Sequence, residues 1–192
     1  MKLVTALLLL CFVFKAQAEI GSQNPRKMGF FYGGGMQKSL ANIKDTAGEA
    51  QFEGWGYSLE AGFDLPFDRT FGATLAGEYK AADLTNKQKT DDAIEDADLK
   101  STTIKAGFFF KNFGFGYGQS KDKAEIRQVS TTTGSSKSHI SGDITEIYAN
   151  YNIQVQDDFR ITFDIQKRDG DLDNYKLDEI KILMKFFVLT AL

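Results

Sequence analysis

Few side chains here have the types and spacing that chemistry needs. The sole histidine, His139, stands two residues before Ser141. Alternate residues of an extended strand share a face. His139-Ile140-Ser141 therefore sets a base beside a hydroxyl, the start of a nucleophilic pair. Such a pair also needs an acid to orient the imidazole, and the next acids downstream are Asp143 and Glu146. Asp169-Gly170-Asp171-Leu172-Asp173 has the alternating carboxylates of half a calcium loop. Its sixth position is Asn174 instead of glycine and its twelfth is Ile180 instead of an acid, so a solvated loop is expected. No metal and no cofactor is expected.

The class of protein narrows the choice. Residues 1–18 read as a signal peptide, with Lys2 first, an apolar run from Leu3 to Phe14, and Ala16-Gln17-Ala18 before the cut. The run is too short to span a bilayer as a helix. Removing residues 1–18 takes away Lys2, Lys15 and the only cysteine, Cys11. Of 23 basic side chains 21 remain against 26 acidic ones, a net charge of −5. Disulfides, zinc–thiolate sites and a cysteine nucleophile are excluded, and nucleic acid is a poor partner for so acidic a chain. No later segment is apolar for long enough to cross a membrane as a helix, so any span must be made of strands.

Strands are what the pattern predicts. Residues 19–26 form a short polar lead, and residues 27–192 alternate apolar and small or polar side chains in eight stretches. Trp55, Tyr57, Leu59, Ala61 and Phe63 fall on one face of the second stretch, and Gly54, Gly56, Ser58, Glu60 and Gly62 on the other. The last stretch, Glu179 to Leu192, puts Ile180, Ile182, Met184, Phe186, Val188 and Leu192 on one face. Connections are expected to alternate long and short. Polar segments at 38–51, 80–98, 130–142 and 169–178 are the long ones, and 65–69, 111–112 and 156–158 the short ones. A chain ending on its most apolar strand fits a closed barrel, in which the last strand pairs with the first and no edge remains.

Counting residues decides which face points inward. The apolar faces carry more than thirty side chains, sixteen of them aromatic. An eight-stranded barrel is just wide enough for side chains to fill, and roughly a dozen suffice. The apolar face must therefore point outward into lipid, around a narrow interior of glycine, small polar residues and a few charges. Glu60, Glu78, Lys105, Asp164 and Lys185 fall at one height near mid-barrel. They are read as a plug of ion pairs, because isolated buried charges cost too much. Arg160 lies lower, and Glu146, Arg168 and Lys181 higher. Phe63, Phe71, Phe110, Phe113 and Phe159 lie by the short turns, and Trp55, Tyr57, Tyr79 and Tyr117 toward the long connections. Two aromatic girdles are expected of a membrane barrel. Lys38, Lys80, Lys100, Lys121 and Lys123 are placed near the outer rim, within reach of lipid phosphates.

Over residues 27–192 the chain resembles, in architecture, the small eight-stranded outer-membrane barrels typified by OmpX, OmpW and the membrane domain of OmpA. The resemblance implies an all-β, eight-stranded antiparallel up-and-down transmembrane β-barrel, a monomer in the bacterial outer membrane. It implies contact with outer-membrane lipid and lipopolysaccharide. It also implies a closing strand read by the barrel-assembly machinery through Met184, Phe186, Val188 and Leu192, although such strands usually end in Phe or Trp. The acidic stretch Asp83 to Asp98 is read as solvated surface, with divalent cations bridging lipopolysaccharide as a weaker reading. The His-x-Ser pair is similar to that of outer-membrane lipid A deacylases, but Ile153 stands where their acid would fall. The leading expectation is a non-enzymatic outer-membrane protein that supports the envelope or presents its surface. A narrow channel for small solutes comes second, and a lipid A-modifying enzyme using His139 and Ser141 third.

Overall fold

The computed structural model describes residues 28–44, 48–87, 94–130 and 134–191. The expected signal peptide, the polar lead and Leu192 lie outside the described residues. Eight strands follow one another: β1 (Gly29–Lys44), β2 (Glu49–Pro66), β3 (Phe71–Asn86), β4 (Ile94–Phe110), β5 (Phe113–Ser130), β6 (Gly134–Gln156), β7 (Phe159–Leu172) and β8 (Tyr175–Ala191). Each pairs antiparallel with the next, and β8 pairs with β1, closing the ring. Closure leaves no unpaired edge. This is the expected all-β, up-and-down, eight-stranded barrel.

The connections differ from expectation. Those at one end, here called lower, are short as read, at 67–70, 111–112 and 157–158. At the upper end, most of what reads as polar loop is strand. β1 runs on to Lys44, β3 to Asn86 and β7 to Leu172, while β6 begins at Gly134. Only 173–174 separates β7 from β8, with Asp173 in the left-handed region at φ 51°. Asp169 and Asp171 thus lie on a strand, not on a calcium loop.

The physical reason for the misreading is that the hydrophobic alternation changes phase along the strands. On β4, Ile104 and Phe108 point outward and are exposed, yet farther up it is Leu99 and Ala97, on the opposite face, that are apolar and buried. β3 switches from outward Leu75 to inward Ala82 and Leu84, and β5 from outward Phe115 and Tyr117 to inward Ala124 and Ile126. In the lower region the barrel is apolar outside, the pattern of a wall covered by lipid. In the upper region it is apolar inside and polar outside, the pattern of a wall covered by water. These strands thus leave the apolar band midway and continue as an ordinary water-facing barrel.

Candidate functional site

The interior is built in three layers. The upper layer is apolar. Ile43, Phe52, Leu84, Ile126, Ile144 and Leu177 form its centre, each at most 3% exposed. The upper lumen is thus filled with close-packed side chains. This core lies largely in segments read from the sequence as loops, so sequence reasoning missed it. The inward parity of Leu84 and Ile126 was the available signal.

The middle layer is ionic, and the five residues assigned to a plug meet there. Lys105 Nζ lies 3.0 Å from Glu60, 3.1 Å from Glu78 and 3.8 Å from Asp164. Lys185 Nζ lies 2.6 Å from Glu60, 2.6 Å from Glu78 and 2.9 Å from Asp164. Two ammonium groups are thus held in common by three carboxylates. Gln166 Nε2 donates to Asp164 at 2.9 Å and Glu78 at 3.2 Å, tying the group to β7. The Tyr148 ring lies beneath Lys105, 4.8 Å from its Nζ.

A second ionic group sits above the first. Arg168 is its hub, bonded to Asp122 at 2.7 Å and Glu179 at 2.6 Å, with Ser101 at 2.9 Å and Ser120 at 3.0 Å. Lys181 approaches Glu179 at 3.5 Å. Lys80 joins the two groups by donating to Glu146 and, at 3.1 Å, to Gln166. Arg168 approaches the same Glu146 at 3.4 Å. Lys80 is therefore not a rim lysine. It is fully buried and shares the inward parity of Glu78. Asp122 and Glu179 were likewise outside the expected plug, since both lie in or beside segments read as loop or weak strand. Among the described residues the buried charges are seven carboxylates and six cations, balanced to within one, as burial requires.

The lower layer is aromatic. Arg160 donates to Asp64 at 2.6 Å and lies over Phe31 and Phe187, whose rings meet edge to face at 5.2 Å. Between this layer and the ionic one is a cavity of about 30 Å³ lined by Glu60, Asp64, Tyr148, Arg160, Asp164 and Lys185, among others. It has room for about two waters. The glycines of the interior face lie hard against the backbone of the neighbouring strands. A Cβ on Gly35 would meet the Met184 carbonyl oxygen at 1.9 Å, and one on Gly54 the Asp83 oxygen at 1.8 Å. These glycines let neighbouring strands approach closely.

The outer wall carries the remaining candidates. Trp55, Tyr57, Phe71, Phe110, Phe113 and Tyr117 are exposed, and Phe63, Tyr79 and Phe159 less so. Rings pair along the lower belt, as Phe30 with Phe63 at 4.9 Å and Phe71 with Phe108 at 5.8 Å. Met184, Phe186 and Val188 face outward on β8. His139 and Ser141 are on strand β6, not in a loop, and both are exposed. An acid does reach the imidazole: Glu125, directly opposite on β5, lies 3.3 Å from His139 Nε2. Lys137 occupies its other oxygen at 2.5 Å. The trio lies open on the wall, with the His139 side chain 79% exposed, and lacks the enclosure that strengthens catalytic electrostatics. Ser141 has its backbone tied to Asp173, which accepts from its N–H at 2.8 Å and donates to its carbonyl at 3.0 Å. Among the described residues no group of three His, Cys, Asp or Glu is arranged to hold a metal ion.

No family model matches the chain, and no curated protein matches it. Solved structures do resemble it. The attachment invasion locus protein Ail of Yersinia pestis, solved in complex with the heparin analogue sucrose octasulfate, is similar at a TM-score of 0.53 and 12% identity, over 83% of this chain and 99% of that one. Neisserial surface protein A gives a TM-score of 0.55 and 15% identity, over 84% of this chain and 97% of that one. At such identities the likeness is one of fold. The chain has the fold of the small eight-stranded outer-membrane β-barrels.

Proposed function

We propose that this protein is a non-enzymatic, monomeric outer-membrane barrel whose lumen is shut and whose work is done by its outer surface, in envelope support or surface contact. The observation that carries this reading is the stack of three sealing layers. A solute would have to displace the aromatic layer, separate the ion pairs of both shared groups and then cross a dry apolar core. Outer-membrane location is supported by the fold and by the exposed apolar band, which only lipid can cover without aggregation. The upper water-facing wall then stands outside the cell, since barrels of this kind keep their short turns in the periplasm. Met184, Phe186 and Val188 on the closing strand are the residues we assign to recognition by the barrel-assembly machinery.

The test is single-channel recording of refolded protein in planar bilayers. The wild type is expected to be silent. Lys105→Ala and Lys185→Ala each leave carboxylates unbalanced at mid-barrel, but the apolar core and the aromatic layer still close the lumen, so both are expected to stay silent as well. Steady conductance in the wild type would instead establish a channel and overturn the sealed reading.

A further inference from the structure

We propose that Lys100, Lys121 and Lys123 form a binding site for phosphate-bearing lipid headgroups on the outer wall of β4 and β5, just above the apolar band. Three observations converge on it. The first is position. Going up β4, the last exposed apolar side chain is Ile104, followed on the same face by Thr102 and Lys100. Going up β5, Tyr117 of the upper girdle is followed by Gln119, Lys121 and Lys123. All three lysines are exposed and stand where each strand passes from lipid into headgroups.

The second is an arrangement that the protein does not itself balance. Lys100 and Lys123 are direct partners across the β4–β5 ladder. Like charges so placed oppose strand pairing unless an anion lies between them. Lys121 faces Thr102 on one side and Asp143 on the other. Yet among the described residues none of the three lysines has a carboxylate within ion-pair distance. Lys44 and Lys176 share that arrangement across β1 and β8 but stand at the upper strand ends, away from the apolar band, whereas several other outward cations are paired. Lys38 and Lys87 reach Glu53 at 3.7 and 2.6 Å, Lys137 reaches Glu125 at 2.5 Å, and Lys167 pairs with Asp178.

The third is sorting by height. Apart from Asp143, which stands at the level of Lys121, the acids of this wall form a row above the lysines, where Asp83 faces Asp98 and Asp98 faces Glu125. Cations below and acids above suit a layer of phosphate lying at the level of the cations. A phosphate headgroup seated there accepts from the paired ammonium groups of Lys100 and Lys123 and from Lys121, while its acyl chains lie along Ile104 and Tyr117.

The probe is dioleoyl phosphatidic acid, with dioleoylglycerol as the phosphate-free control. Both are titrated into refolded full-length protein in uncharged maltoside micelles and read by native mass spectrometry. Heat-modifiable migration checks the fold of every variant. Wild type is expected to retain phosphatidic acid in preference to the glycerol lipid. Each lysine-to-glutamine change is expected to weaken retention roughly fivefold, and K100Q/K121Q/K123Q to abolish the preference. A variant of equal charge change elsewhere on the upper wall, K44Q/K167Q/K176Q, is expected to behave as wild type. If the triple variant does not refold, the three single variants decide. Unchanged retention in the lysine variants, or an equal loss in the control variant, would overturn the site. Displacement of the lipid by inorganic phosphate or by sucrose octasulfate at comparable concentration would overturn the lipid assignment in favour of free anions or a sulfated glycan.

Discussion

Arg168 Nη2 lies 2.7 Å from both carboxylate oxygens of Asp122, reaching from β7 past β6 to β5 inside the barrel. Neither side chain is more than 1% exposed. Asp122→Ala would strip this partner from a buried guanidinium and leave Glu179 as its main anion, and the expected loss is roughly 3–5 kcal/mol. Replacing the whole group by apolar residues of like size, as in Arg168→Met and Lys181→Met with Asp122→Leu and Glu179→Leu, is expected to cost much less, because two cations leave with two carboxylates, Lys181 with its partner Glu179. Urea titration of protein folded into vesicles measures both. Equal losses would mean that Arg168 acts through packing and not through charge.

What was legible in the sequence follows from this contrast. The lower halves of the strands could be read because lipid demands a continuous outward apolar face, and Trp55, Leu59 and Phe63 supply one. Glu60, Glu78, Lys105, Asp164 and Lys185 could be brought together because each shares inward parity with small neighbours and lies at one height above the short turns. Lys80 and Asp122 were lost because the strands carrying them continue past the point where the outward face turns polar. There, a polar outer face on a water-exposed wall cannot be told from a loop by polarity alone. The inward run Ala82, Leu84 on β3 and Ala124, Ile126 on β5 was the remaining signal, and it is legible only as a change of phase. Glu125 was missed as the partner of His139 because it comes earlier in the chain and meets it only through strand pairing.

The change of phase predicts where arginine is tolerated on one strand. Leu75 and Thr85 both point outward on β3. Leu75 lies within the apolar band, between Phe71 and Tyr79, and Thr85 lies above it. Leu75→Arg is expected to cost about 2–4 kcal/mol and Thr85→Arg about 0–1, the values for a lipid-facing midplane and for a site beyond it. Folding equilibria in lipid vesicles test the pair. Equal costs would place the upper wall in lipid and remove the boundary on which the sealed upper core depends.

Outside the membrane, acid sensitivity is expected at the turn between β2 and β3. One oxygen of Asp68, Oδ1, accepts from the Thr70 N–H at 2.6 Å, the Phe71 N–H at 2.7 Å and the Thr70 hydroxyl at 3.0 Å. The backbone bond from Thr70, then that from Phe71, holds this carboxyl below its ordinary value. The folded state therefore binds the proton more weakly than the unfolded chain does. Its contribution is fully present above the unfolded value of about 3.9 and is lost as pH falls through the lower folded value. Asp68→Asn keeps an acceptor but removes the charge. Its midpoint of denaturation is expected to lie below the wild type's at neutral pH, with the gap closing as pH approaches about 2. A gap that stays constant down to that pH would assign Asp68 a role through shape alone. No gap at neutral pH would mean that the turn is held by the Phe67 and Asp68 N–H bonds to the Phe71 carbonyl, at 2.9 and 3.1 Å, without help from the carboxylate.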